Sequence, residues 1–162
     1  MDEARRRTLH GRRRGKKLRA GQQSLLDTLL PRLLLSLPED EARIDLAQAF
    51  GGTLPPDGVW LEVGFGAGEH LVWQAEQHPR VGLIGCEPYL NGVAKCLAHM
   101  ERTGVGNVRL FTDDARLVMA ALPPGTPMLL DIIEKSSVGR SSVSMSMARG
   151  PGLAAPTSAS WL

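Results

Sequence analysis

The run Glu62-Val-Gly64-Phe-Gly66-Ala-Gly68 sets one carboxylate just ahead of three alternating glycines. Glycine lets a backbone turn sharply and lets a ligand approach with no Cβ in the way. A dinucleotide fingerprint, G-x-G-x-x-G, needs its third small residue at position 69, where this chain has Glu69. The spacing acid-x-Gly-x-Gly-x-Gly suits S-adenosylmethionine instead. That cofactor has no pyrophosphate to rest on a helix N-terminus, but it has a cationic amino-acid end that Glu62 can meet. The plainer reading of the glycines alone is a tight turn.

Two further acids add to the pattern. Glu87 and Asp114, with Asp113 as the lesser alternative to the latter, each follow a segment that reads as a strand. Ligands of open α/β sheets bind beyond the carboxyl ends of parallel strands. Glu87 is placed to accept hydrogen bonds from both ribose hydroxyls, and Asp114 from an adenine amino group. Each acid alone is an ordinary solvated loop residue; the three together, beside a glycine loop, are a joint pattern. Other tempting residues carry less. His70, His78 and His99 show no metal-ligand grouping and are expected on the surface or on helices. Trp60 and Trp73 are expected to pack the first strand and its helix. Cys86 at a strand end reads as a small apolar filler.

The elements that position these residues follow from hydrophobic periodicity. Leu25, Leu26, Leu29, Leu30, Leu33 and Leu34 recur at helical spacing within 22–37, and Pro31 is expected to kink or split that helix. A short helix is expected between Pro38 and Phe50. Strands are expected at 59–63, 81–86 and 107–112, and helices at 69–77, 90–102 and 115–121. Alternation at this spacing argues for βαβ units around a parallel sheet with its first strands in the order 3-2-1. Residues 128–133 are a candidate fourth strand, interrupted by Asp131. Residues 136–162 are rich in Ser, Gly, Ala and Pro, show no period, and read as lacking regular structure. The organisation is thus a basic arm (1–20), an α/β cofactor-binding unit (21–126) and a divergent tail (127–162).

The charge is uneven. Residues 1–20 hold seven Arg and two Lys against Asp2 and Glu3, leaving ten basic and fifteen acidic residues for the rest of the chain. A basic arm on an acidic body points to a polyanionic partner gripped mainly by the arm. Apolar runs are too short for a membrane span, an Arg-rich start without an apolar stretch does not read as a secretory signal, and two cysteines form no zinc or disulfide pattern. A cytoplasmic protein with no metal is expected.

These residues resemble the bacterial tRNA (guanine-N7-)-methyltransferases. Leu61-Glu62-Val-Gly64-Phe-Gly66-Ala-Gly68-Glu-His-Leu71 is similar to that family's signature, as are Gly85-Cys86-Glu87, Gly92-Val93 and Asp114-Ala115. In the arm, His10-Gly11-Arg12-Arg13-Arg14-Gly15-Lys16 and Gly21-Gln22 fall as they do in the family. The resemblance runs from about Arg5 to about Thr126. It implies a Rossmann-like class I methyltransferase fold, with Glu62, Gly64, Gly66, Gly68, Glu87 and Asp114 holding S-adenosylmethionine. It also implies Arg12, Arg13, Arg14, Lys16 and Lys17 against tRNA phosphates. The implied reaction, methylation of guanine N7 in the variable loop, needs no general base because N7 carries a lone pair and no proton. Positioning and stabilisation of the charge developing on the purine are what remain.

The chain departs from the family after Thr126. The family's fourth strand leads into Phe-Pro-Asp-Pro-Trp followed by Lys, Arg and His. Here Pro127-Met-Leu-Leu-Asp131-Ile-Ile-Glu134-Lys135 stands in its place. No catalytic residue is therefore assigned, and the missing Asp is not transferred to Asp131. The fold is expected to be incomplete, with about strands 1–4, and the departure reads as a truncated or frame-shifted sequence. A half-sheet would leave the far edge of the first strand and one helix layer uncovered. Two other readings stay open: an inactive cofactor- or RNA-binding remnant, and an NAD-binding oxidoreductase fragment.

Overall fold

A computed structural model describes residues 15–39 and 42–126 in full, together with the backbone of 128–131 and 145–148. The leucine-rich segment divides where Pro31 requires. Helix α1 (Ala20–Thr28) ends at Leu29, and α2 (Leu30–Leu33) begins with Pro31 in its first turn, where a missing N–H costs nothing. Leu30 and Leu33 are buried, and Leu25, Leu26 and Leu29 pack partly buried against the same core. Leu34 turns outward, but its backbone bridges Leu110, and the Leu35 N–H donates to the Leu110 carbonyl. A short α3 (Leu46–Ala49) follows, its first turn capped by the Asp45 carboxylate accepting from the Gln48 N–H.

The alternation read from the sequence then appears. In order come β1 (Val59–Val63), α4 (Glu69–Gln77), β2 (Gly82–Cys86), α5 (Leu90–Thr103), β3 (Val108–Phe111), α6 (Ala115–Ala121), β4 (Met128–Asp131) and β5 (Met145–Ala148). The sheet order is β3-β2-β1-β4-β5, parallel except for the antiparallel β4–β5 pair. The expected order 3-2-1 holds, and with β4 beyond β1 the arrangement is a Rossmann-like half-sheet.

The β1 edge and the tail depart from expectation. The far edge of β1 is not bare, since Leu61 and Glu62 pair with Met128 and Leu129 of β4. Within the tail read as irregular, Met145–Ala148 forms a strand along β4. An edge strand needs only backbone partners, and Met-Ser-Met-Ala is too short a run for a period of two to stand out. The rest of 132–144 and 149–162 lies outside the described residues.

Side chains alternate across the sheet as the pleat dictates. Leu83, Val108 and Leu110 enter the core beneath α1, α2, α4 and α5, while Val59, Leu61, Ile84 and Cys86 enter the core shared with Ile44, Val118 and Leu122. Helical residues thus back both faces, not one as expected. Helix α5 buries Val93, Cys96, Leu97 and Met100 at i, i+3, i+4 and i+7. Trp60 packs against the first core and lies edge-on to His78, ring centroids 4.8 Å apart. Trp73 does not pack as expected. It is 52% exposed, because the inward positions of α4 fall to Leu71, Val72, Gln74 and Ala75. Among the described residues no helix is long and apolar enough to cross a membrane.

Two predictions follow from the core. Leu97, fully buried at the centre of α5, leaves a cavity when cut to Ala, and urea titration should show a loss of about 2–5 kcal/mol. Burial pushes the thiols of Cys86 and Cys96 up to about 12. Both should resist iodoacetamide at neutral pH in the folded chain and react once urea unfolds it. Because the folded value is raised, this contribution to stability is full below the ordinary thiol value of 9.0 and is lost as pH climbs toward 12.

Candidate functional site

The carboxyl ends of β1 and β2 are laced together by backbone. The Gly64 N–H donates to the Cys86 carbonyl at 2.7 Å, and the Glu87 N–H to the Phe111 carbonyl at 3.0 Å. Glu87 therefore starts at a fixed point between β1 and β3. Its carboxylate is divided: Oε2 accepts from the Gly66 N–H and Oε1 from the Tyr89 N–H, both at 2.9 Å. One side chain thus ties the glycine loop to the approach of α5.

Gly64, Gly66 and Gly68 all take left-handed backbone, with φ of 77°, 58° and 82°. At Gly68, the N-cap of α4, a Cβ would also lie 2.4 Å from Cys96 Sγ, so only glycine lets α4 sit this close to α5. At Gly64 and Gly66 a Cβ would meet nothing within 4 Å. The outer side of the loop is open at the sheet rim, and there the backbone alone is presented.

Glu62 lies at the floor of this arrangement, 1% exposed. Its Oε2 is 3.1 Å from His70 Nδ1, and His70 Nε2 is 3.2 Å from Gln74 Nε2 on the next turn of α4. With Glu62 ionised, His70 donates through Nδ1 and accepts from the Gln74 amide through Nε2, which is the neutral Nδ1–H tautomer. His70 is the residue that reading the sequence missed. Three histidines without ligand spacing gave no signal, although His70 is eight positions after Glu62 across a strand-to-helix turn that folds the two together.

Asp114 begins α6 on the same rim, two residues beyond Thr112, where β3 has ended. Its carboxylate caps α6 by accepting from the Arg116 N–H and forms a charged fork with the Arg116 guanidinium. The Arg116 side chain holds the Asp114 carboxyl below the usual carboxylate range. This exposed pair favours the capped helix above that range, and the preference is lost as pH falls through the lowered value. Asp113 accepts from the Asp114 N–H. The structure thus ties Glu87 to the Gly66 loop and holds Glu62 buried beside it against His70, while the Asp114 carboxylate is turned into its own helix cap.

Of the arm residues, Lys16 and Lys17 are exposed at its root, and Arg12, Arg13 and Arg14 lie outside the described residues. A separate cavity of about 570 Å³, lined in part by Arg32, Arg43, Asp45 and Arg109, lies between α2 and α3. Its Arg43 and Arg109 donate to backbone carbonyls of Ala120, Leu122 and Ala49, so these guanidiniums hold the fold. No group of three or more His, Cys, Asp or Glu suited to a metal occurs among the described residues.

A family model described as "Putative methyltransferase" matches residues 57–134. The tRNA (guanine-N(7)-)-methyltransferase of Paramagnetospirillum magneticum is 49% identical over 117 residues, covering 72% of this chain and 48% of that protein. That of Rhodospirillum rubrum is 52% identical over 118 residues, covering 72% and 46%. The chain belongs to the tRNA (guanine-N7-)-methyltransferase family. It spans about half the length of the curated relatives it matches. A solved methyltransferase from Geobacter sulfurreducens, in complex with S-adenosylhomocysteine, is 21% identical with a TM-score of 0.37, covering 44% of this chain and 40% of that one.

Two substitutions report on the rim. Gly92→Ala would press a Cβ to 2.3 Å from the Gly66 carbonyl oxygen. Thermal and urea unfolding should show a loss of about 2 kcal/mol or more, whereas Gly21→Ala, in α1 with open space around it, should gain about 0.5–1 kcal/mol. His70→Ala takes a partner from a buried carboxylate and should cost about 1–3 kcal/mol. A His70→Ala chain as stable as its parent would show that Glu62 does not depend on the imidazole.

Proposed function

We infer that the open glycine loop and the two carboxylates beside it form a site for S-adenosylmethionine, in a chain that serves methylation of guanine N7 in tRNA. The observation that carries this reading is the divided carboxylate of Glu87. It holds the Gly66 backbone in place and keeps lone pairs on both oxygens for further donors, as adjacent ribose hydroxyls require. Gly64 and Gly66 leave room for a nucleoside to approach the backbone, so the residues present fit the cofactor. Glu62 lies one strand away and supplies negative potential toward a cationic amino-acid end. Asp114 would serve an adenine amino group by sharing its carboxylate with the Arg116 fork.

When bound, S-adenosylmethionine supplies an electrophilic methyl on a sulfonium. The chain's own contribution is orientation: the rim fixes the nucleoside, and the basic arm with Lys16 and Lys17 neutralises phosphates of a cytoplasmic tRNA without reading its sequence. N7 needs no base to remove a proton. An acceptor pocket for guanine is not assigned, because the family's acidic and basic groups after the fourth strand have no matching residues here. A cofactor-binding chain of low turnover is therefore the form of this reading that the residues favour.

Isothermal calorimetry should register S-adenosylhomocysteine and no NAD, and Glu87→Ala should weaken that binding by at least about tenfold, the scale of a charge-assisted hydrogen-bond pair. Binding of NAD in preference would overturn the reading. On unmodified tRNA, methyl transfer should be weak or below detection.

A further inference from the structure

The basic arm is not merely attached to the body through α1. At its root the Asn91 side chain grips the backbone twice: Oδ1 accepts from the Gly15 N–H at 2.8 Å, and Nδ2 donates to the Lys16 carbonyl at 2.6 Å. A primary amide that satisfies an N–H and the next C=O pairs with the chain much as a neighbouring strand would. Gly15 is also close to Tyr89, since a Cβ on it would come 2.1 Å from the phenol oxygen. That contact is with the end of a flexible side chain, so the amide pair is the firmer hold.

The position of this grip gives it meaning. Asn91 is the second residue of α5, and its neighbour Gly92 touches the Gly66 carbonyl of the ligand loop. Tyr89, just before the helix, is held by the same Glu87 carboxylate that holds Gly66. Lys16, Lys17 and Arg19 are all exposed beside the grip. The grip therefore keeps these three positive charges within a short reach of the rim.

We propose that Asn91 is a clip that fixes the root of the basic arm at the cofactor rim, so that an RNA backbone gathered by the arm is delivered across the glycine loop. The inference rests on the cofactor and RNA reading above and adds a positioning residue to it. The clip places charge without adding any, so its loss should change affinity and leave the number of phosphates neutralised unaltered.

The experiment compares Asn91→Ala with the parent chain. Alanine favours a helix more than asparagine does, so the fold should persist. Amide hydrogen exchange should show the Gly15 N–H losing its protection in Asn91→Ala and keeping it in Asn91→Asp, which retains the acceptor. Affinity for unmodified tRNA should fall about tenfold in Asn91→Ala, the scale of one or two partly exposed hydrogen bonds. The slope of log affinity against log salt should stay the same. Lys16→Ala with Lys17→Ala should instead flatten that slope by about 0.7–0.9 for each contact removed.

Unchanged Gly15 protection or unchanged tRNA affinity in Asn91→Ala overturns the clip, as does a flattened slope. Failure of the parent chain to bind both S-adenosylhomocysteine and tRNA would count against the functional reading instead, and the clip would then stand or fall on Gly15 exchange alone.

Discussion

A carboxylate shared between two backbone N–H groups is what holds the site together. Glu87 accepts from Gly66 on one side and Tyr89 on the other, and neither partner could substitute for the other. The glycine loop has little to fix it from within, because residues with positive φ and no side chain lose more conformational entropy on ordering than any others. A charge-assisted bond from the end of β2 supplies that order from outside. It also sets the relation of β1's loop to α5, and hence of α4 to α5, whose packing at Gly68 and Cys96 tolerates no further atom. A single interaction thus links the backbone that presents the ligand site to the helix that carries Asn91.

The two acids of this rim differ in what keeps them in place. Glu87 is half-buried and held by backbone donors, which do not titrate. Glu62 is buried and faces the His70 imidazole, a side chain on another element. A buried carboxylate is costly unless it is paired and hydrogen-bonded. The His70–Gln74 pair on α4 meets that need from the helix that follows the glycine loop, so any movement of the loop that shifts α4 also shifts the partner of Glu62.

Much of this was legible in the sequence. The alternating strands and helices from Val59 to Ala121 carry strong periodicity and clear punctuation, and the glycines and acids announce a rim because parallel sheets present their loops at one end. What was not legible depended on geometry across turns. His70 meets Glu62 only because β1 and α4 fold back on one another around Gly64–Gly68, and no spacing rule singles out a histidine next to a carboxylate eight residues away. Asp114 was read for its position at a strand end. Arg116, two residues on, takes its carboxylate, a contact too local for any pattern to exclude. Trp73 was misplaced because helical phase, not size, decides which side of α4 is buried. Strand β5 was invisible because pairing along an edge draws on backbone, and four residues of Met, Ser and Ala carry almost no signal.

The pairing of β4 with β1 shows where the chain's agreement with its family thins. Leu61 and Glu62 pair with Met128 and Leu129, and that register carries the backbone of β4 toward the same rim as Glu62 and Glu87. On the function proposed, a cofactor beyond the carboxyl ends of β1, β2 and β3 leaves the end of β4 to furnish the acceptor side. Here that strand, Met128–Asp131, is bordered by the antiparallel β5, and the sequence that follows it does not match the family's acidic and basic groups. The contacts of Glu87 draw on the paired ends of β1, β2 and β3 and not on β4. On the function proposed, nucleoside binding draws on the rim that Glu87 ties together, and methyl transfer would draw on groups at the end of β4.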